Sequence, residues 1–280
     1  MTACAADYTG PMETIAFIGG GNMASAIVGG LVGAGRSRER IVVVEPDAAQ
    51  RKVVADKLGV RTIAAADATL AEAALVVWAV KPQMFGVAAA PCRDHVSAAL
   101  HLSVMAGVRS DAIARAVGSE RVVRAMPNTP ALIGQGIAGL FARPAVTADD
   151  RAEVETVLAA TGQMLWLDSE AALDAVTALS GSGPAYVFHL VESMLGAARR
   201  MGLDDATARR LAVQTVAGSA ALVAASTDSP ETLRRNVTSP NGTTQAALAV
   251  FESRGVKAAI VEAILAARDR ATELGDELGN

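Results

Sequence analysis

Thr14-Ile15-Ala16-Phe17-Ile18-Gly19-Gly20-Gly21-Asn22-Met23-Ala24 is the stretch whose reading decides the fold. Its first five residues form a short, mostly apolar run, as expected of a strand buried on both faces. The run passes directly into glycines and then into an Ala/Ile/Leu-rich segment, residues 25–34, with the character of a helix. The pattern is G-x-G-x-x-A in a strand–turn–helix setting. Gly19 makes the tight turn, Gly21 lets the backbone approach a pyrophosphate, and Ala24 permits close helix–strand packing. A glycine pattern alone is weak evidence, but this one has its structural setting on both sides.

The same alternation continues outward. A second apolar strand, Ile41-Val42-Val43-Val44, ends at Glu45. An acid at that tip is placed to accept hydrogen bonds from an adenosine ribose. Glu45 followed by Pro46 also reads as a helix opening, and both readings stand. Further strands are expected at Leu75-Val76-Val77-Trp78-Ala79-Val80, Leu100-His101-Leu102-Ser103-Val104, Arg121-Val122-Val123-Arg124-Ala125-Met126 and Gln163-Met164-Leu165-Trp166-Leu167. In open parallel sheets ligands bind beyond the carboxyl ends of the strands, so Lys81, Ala106, Gly107 and Asn128 should gather at one cofactor-binding rim. Lys81 also reads as a solubilising charge, Ala106-Gly107 as a turn and Pro127-Asn128-Thr129-Pro130 as a stiff loop.

Past Asp168 the strand signals vanish. Helices are expected over residues 170–179, 186–201, 205–225 and 256–278, with a short one opened by Ser229-Pro230. Residues 211–225 are nearly apolar all round, where a helix exposed on one side would show a polar stripe. Such a helix needs neighbours on every side, which predicts an obligate dimer through interleaved C-terminal helices; burial within its own domain is the alternative reading. The run Val237-Thr238-Ser239-Pro240-Asn241-Gly242-Thr243-Thr244 leads into another apolar-periodic segment, residues 245–252. A helix start exposes unpaired N–H groups and the positive end of the macrodipole, which suits a carboxylate, and Gly242 removes a Cβ that would hold an anion away. Simple capping by Ser, Asn and Thr is the alternative reading.

The chain has 280 residues, enough for two domains and a large core. Residues 1–12 read as a loose tail, 13–168 as a dinucleotide-binding domain and 169–280 as a helical substrate-binding and dimerisation domain. Hydrophobic residues make up 51%, yet no uncharged apolar run is long enough for a membrane span. A net charge of −4 without a basic stripe argues against nucleic acid as a partner. Cys4 and Cys92 do not suggest a disulfide framework, so a reducing cytoplasm is expected. No Cys/His cluster has metal-ligand spacing, and His95, His101 and His189 are scattered.

Five motifs together resemble the pyrroline-5-carboxylate reductase family. They are Phe17-Ile18-Gly19-Gly20-Gly21-Asn22-Met23, Ala79-Val80-Lys81-Pro82, Arg124-Ala125-Met126-Pro127-Asn128-Thr129-Pro130, Ser180-Gly181-Ser182-Gly183-Pro184-Ala185-Tyr186 and the run from Val237 to Thr244. The resemblance covers nearly the whole chain. It implies a Rossmann-type doubly wound sheet followed by an all-α dimerisation domain, in an α/β class. The implied activity is reduction of 1-pyrroline-5-carboxylate to L-proline with NADPH or NADH, the last step of proline biosynthesis. Asn22, Met23, Ala79, Val80, Lys81, Pro82 and Asn236 are then cofactor contacts, alongside Gly19, Gly21 and Glu45. The substrate carboxylate would be held by the amides of Asn241, Gly242, Thr243 and Thr244, with Ser239 adding a hydroxyl and Glu170 lining the site. Thr244 would sit near the imine nitrogen, to orient it or relay a proton. The resemblance also implies a homo-oligomer, at least a dimer, with a ring of dimers as a larger form.

Two positions depart from the family pattern. The family usually has two glycines where this chain has Asn241-Gly242, and Asn tolerates positive φ better than other non-glycine residues. Relatives that prefer NADPH usually carry small polar or basic residues where this chain has Glu45. A carboxylate there repels a 2′-phosphate and favours NADH, unless Arg51 or Lys52 swings across to offset it. A hydroxyacid dehydrogenase or related imine reductase is the rival enzyme, but residues 186–225 offer no lysine as proton donor. A dinucleotide-sensing regulator would not need the hydroxyl-rich helix start.

Overall fold

The computed structural model describes residues 13–279, so the expected tail 1–12, with Cys4, lies outside the described residues. An eight-stranded sheet organises the first part: β1 (Thr14–Ile18), β2 (Ile41–Val44), β3 (Arg61–Ile63), β4 (Ala73–Trp78), β5 (Leu100–Ser103), β6 (Val122–Met126), β7 (Gly136–Ala142) and β8 (Gly162–Trp166). The helices among them are α1 (Asn22–Gly33), α2 (Ala48–Leu58), α3 (Phe85–Ala89), α4 (Arg93–Val96), α5 (Ser110–Val117) and α6 (Ala148–Leu158). After the sheet come α7 (Ala172–Val176), α8 (Gly183–Arg200), α9 (Asp205–Ala225), α10 (Pro230–Asn236), α11 (Thr243–Ser253) and α12 (Val256–Leu278).

The strand order is β3-β2-β1-β4-β5-β6-β7-β8. The first six strands are parallel, and β7 runs antiparallel to β6. This is the doubly wound order, whose switch point falls between β1 and β4. Alternate residues feed two cores, one on each face. Ile15, Phe17, Val43 and Val77 pack with Ile27, Leu31 and Leu158, whereas Ala16, Ile18, Val76 and Trp78 pack with Phe85, Ile113 and Val117. Each fully buried Val, Leu, Ile or Phe among them contributes about 1.5–3 kcal/mol. Two strands escaped the sequence reading. β3 has only three residues, and β7 (Gly136-Ile137-Ala138-Gly139-Leu140-Phe141-Ala142) carries glycines that blunt its apolar signal.

The contacts divide the chain into two compact units. One runs to Ser182 and takes up the chain again from Ala267; the other is Gly183–Ala266. The boundary expected at Asp168 therefore does not coincide with the division of contacts. The segment 169–182 stays with the sheet because Glu170 and Asp174 are tied to it by ion pairs. The end of α12 joins the same unit: Thr272 Oγ1 donates to Asp174 Oδ2 at 3.1 Å, and Leu278 packs against the second core.

Within the unit Gly183–Ala266, α8 and α9 form a helical hairpin, and Ser229 caps α10 by accepting from Thr232 N, as the Ser-Pro signal predicts. Its buried side chains are three alanines, Ala198, Ala208 and Ala212. Phe188, Leu211, Leu222, Val250 and Phe251 are exposed in the single chain. No helix among the described residues is long and apolar enough to cross a membrane.

Candidate active site

At the carboxyl ends of β1, β2 and β4 lies a cavity of about 440 Å³. Ile18, Gly19 and Gly21 form its floor, Val44, Glu45 and Pro46 one wall, and Ala79, Val80 and Lys81 another. Ala64, Ala65, Ala66, Val87, Pro91 and Cys92 complete an apolar end. Gly19 has φ +100°, and a Cβ there would stand 2.7 Å from the Ala79 carbonyl oxygen, so the turn accepts only glycine. A Cβ on Gly21 would meet nothing within 4 Å, and Gly21 caps α1 without any side-chain bond. The first amides of α1, beginning at Asn22 and Met23, are thus left for a ligand, in the manner of a phosphate-binding helix start. Ala24 is buried against the sheet as its motif position requires. Burial pushes the Cys92 thiol up to about 11, which leaves it an inert wall residue.

Glu45 serves the turn itself. Its Oε2 accepts from Gly20 N at 2.9 Å and its Oε1 from Asp47 N at 3.0 Å. Gln50, which the sequence reading missed, donates from Nε2 to the Gly20 carbonyl at 2.6 Å. No spacing rule singles it out, because the pairing depends on how α2 packs on the glycine turn.

The other expected cofactor residues of the rim are not part of this cavity's lining. Gly107, with φ +77°, faces Leu274 and Leu278 of α12. Asn128 donates from Nδ2 to the Ser180 carbonyl at 3.1 Å and accepts from Ile137 N at 3.0 Å. Ala106 precedes Gly107 in the turn after β5. Pro82 opens the short helical turn that follows Lys81.

Glu170 lies elsewhere in the same unit. Its carboxylate accepts from Ser110 N and Ser110 Oγ, both at 2.6 Å, and from Arg124 at 2.8 Å. Beside it, Arg109 forms a two-bond pair with Asp174 at 3.1 and 3.0 Å, and the two acids border a cavity of about 410 Å³ with Arg268 and Thr272. Burial pulls Arg124 below its ordinary guanidinium value, with Glu170 opposing the shift. The acid that the resemblance places at the substrate is here committed to holding α5, β6 and the segment before α7 together.

In the second unit, Asn241 adopts φ +59°, the conformation its residue type tolerates. Gly242 is the N-cap of α11, with φ −85° and ψ 170°, and its own N–H bonds to the Ser239 carbonyl at 3.1 Å. Asn241 N is capped in reverse by Gln245 Oε1 at 2.5 Å. No side chain among the described residues accepts from the amides of Thr243 or Thr244, so the capping alternative is not realised there. Ser239, Asn241 and Thr243 are exposed and Thr244 is half-buried, while Asn236 ends α10 on the surface.

Comparison with known proteins bears on both units. A family model described as pyrroline-5-carboxylate reductase dimerisation matches residues 170–274, and one described as NADP oxidoreductase coenzyme F420-dependent matches residues 14–107. The pyrroline-5-carboxylate reductase of Pseudomonas aeruginosa is 43% identical over 267 residues, covering 95% of this chain and 98% of that one. The solved structure of a pyrroline-5-carboxylate reductase from Coxiella burnetii superposes with a TM-score of 0.84 at 38% identity, over 94% of this chain and 99% of that one. The Plasmodium falciparum pyrroline carboxylate reductase with NADP bound superposes with a TM-score of 0.85 at 28% identity, over 94% of this chain and 98% of that one.

Proposed function

The chain belongs to the pyrroline-5-carboxylate reductase family, and on that premise we propose how its residues divide the work of the reaction. The reaction is NAD(P)H-dependent reduction of 1-pyrroline-5-carboxylate to L-proline, in proline biosynthesis. The bound reduced nicotinamide supplies the hydride.

NAD(P)H fits the cavity at the switch point on two observations: Gly19 admits no Cβ, and Gly21 leaves the first turn of α1 open. Gly19, Gly21, Asn22 and Met23 would hold the diphosphate, Glu45 the adenosine ribose, and Ala79, Val80, Lys81 and Pro82 the remainder of the cofactor. Ala106, Gly107, Asn128 and Asn236 complete the proposed cofactor set, the first three through the shape of the rim loops they brace.

The substrate's carboxylate is assigned to the start of α11. The amides of Thr243 and Thr244, together with the positive end of the helix dipole, neutralise its charge, and the Ser239 hydroxyl donates a further bond. Asn241 and Gly242 keep that approach free of bulk. The Thr244 hydroxyl orients the ring nitrogen or relays to it a proton taken up from water, which balances hydride addition at carbon. Glu170 then acts by bracing the framework through Arg124 and Ser110. What carries this reading is the uncapped start of α11 inside the signature run.

The chain carries a dimerisation region, and a homodimer completes the unit whose own buried side chains are three alanines. A ring of dimers is the larger assembly we favour, with no nucleic-acid partner, since the net charge is −4. A free, buried Cys92 agrees with a reducing cytoplasm. The test is to follow NADH and NADPH oxidation with 1-pyrroline-5-carboxylate. Cofactor oxidation with stoichiometric proline is expected; dinucleotide binding without turnover of this imine would overturn the reading.

A further inference from the structure

We propose that Glu45 makes this enzyme select NADH over NADPH. The proposal rests on the cavity at the ends of β1, β2 and β4 being the dinucleotide site. The family alone does not fix the phosphate preference, and the relative solved with NADP is only 28% identical.

Four observations converge on the loop between β2 and α2. First, the Glu45 carboxylate is fixed rather than mobile, held by Gly20 N at 2.9 Å and Asp47 N at 3.0 Å, at the wall where an adenosine ribose would lie. Each oxygen keeps lone-pair capacity for the 2′- and 3′-hydroxyls of an unphosphorylated ribose. Second, two of the loop's donors are taken by its own acids. Asp47 N bonds Glu45, Gln50 N bonds Asp47 Oδ1 at 2.7 Å, and Pro46 has no N–H.

Third, the two nearby cations are engaged. Arg51 places Nη1 on the carbonyls of Glu45 at 2.7 Å and Pro46 at 3.0 Å, and Lys52 pairs with Asp56 at 2.8 Å. Neither bonds the Glu45 carboxylate. Fourth, the cation among the residues lining the cavity is Lys81, which follows β4. Because β1 lies between β2 and β4, Lys81 is separated from Glu45 by two strand spacings, roughly 10 Å, and serves the other end of the cofactor. A 2′-phosphate would therefore bring about two negative charges beside a fixed carboxylate and a second acid, Asp47, against which the loop sets the single charge of Arg51, whose Nη1 is held on the Glu45 and Pro46 carbonyls.

Calorimetric titration of the full-length enzyme with NADH and with NADPH, imine omitted, tests this without relying on turnover. Failure of the imine-reductase reading would appear only in the activity assay, so the two are separable. NADH is expected to bind about tenfold or more tightly than NADPH. Glu45→Gln, which keeps the side-chain length, and Glu45→Ser should each narrow that ratio by about tenfold, chiefly by strengthening NADPH. Equal or tighter binding of NADPH by the unaltered enzyme would overturn the proposal. So would an unchanged ratio with both affinities weakened alike, which is the signature of Glu45 acting only as a tie for the glycine turn.

Discussion

Trp78 donates its indole Nε1–H to Nδ1 of His101 at 3.1 Å, joining β4 to β5 inside the core. Both side chains are 0% exposed, and Phe85 meets the Trp78 ring edge-on at 5.2 Å. The bond requires an imidazole whose Nδ1 carries no proton. Burial depresses the His101 pKa to about 4, with the Arg121 charge adding to the shift against the Val96 carbonyl.

A pH dependence of stability follows from that pair. The folded pKa lies below the unfolded value of about 6.5, so the unfolded chain binds the extra proton between those limits. The stabilisation is complete above about pH 6.5 and is lost as the pH falls toward 4, amounting to roughly 3 kcal/mol. Glu153, raised by burial, works in the opposite sense as the pH rises above the usual carboxylate range. Denaturant melts at intervals from pH 7 to 4 should show a steady loss that is shallower in His101→Gln. Parallel curves for the two proteins would remove His101 as the cause.

Thr244→Ala should lower kcat by about a hundredfold or more while the dinucleotide affinity stays within twofold, because the hydroxyl is assigned to the imine nitrogen. Steady-state kinetics and calorimetry separate the two quantities. Retention of full kcat would take Thr244 out of the chemistry.

Glu170→Ala leaves Arg124, which is 4% exposed, as a buried charge whose Nε already has no partner among the described residues. A loss of about 3–5 kcal/mol is expected, by analogy with other broken buried pairs. The change should appear as a lower denaturation midpoint. A normal midpoint with a raised KM would instead return Glu170 to the substrate.

Leu222 on α9 is 56% exposed in the single chain, and Leu211, Val213 and Val223 are exposed with it along the apolar C-terminal part of that helix. Leu222→Asp should dissociate or destabilise the dimer, read by light scattering after size exclusion. A stable folded monomer of the unaltered protein at micromolar concentration would show that the helix needs no partner.

Much of the helical half was legible because its boundaries are marked by local chemistry. Asp204 caps α9 through Thr207 N, Ser229 caps α10 ahead of Pro230, and Gly202 turns the chain with φ +83°. Asn241 was readable for the same reason, since its positive φ depends on its own residue type. β7 was not, because its place beside β6 comes from pairing across the sheet and its glycines pack against Val176 and the backbone around Thr161.

The sequence by itself determined the strand–glycine–helix opening, the run of buried strands and a helix start rich in hydroxyls after Asn241-Gly242, because each rests on residues close together along the chain. Tertiary structure alone decided what Glu170, Asn128 and Glu45 hold on to. Glu170 meets Ser110 across 60 positions and Asn128 meets Ser180 across 52. Glu45 is tied to Gly20 by a bond spanning 25 positions. No periodicity encodes such pairs: they exist only when folding brings distant backbone and side-chain groups within about 3 Å, partly shielded from water.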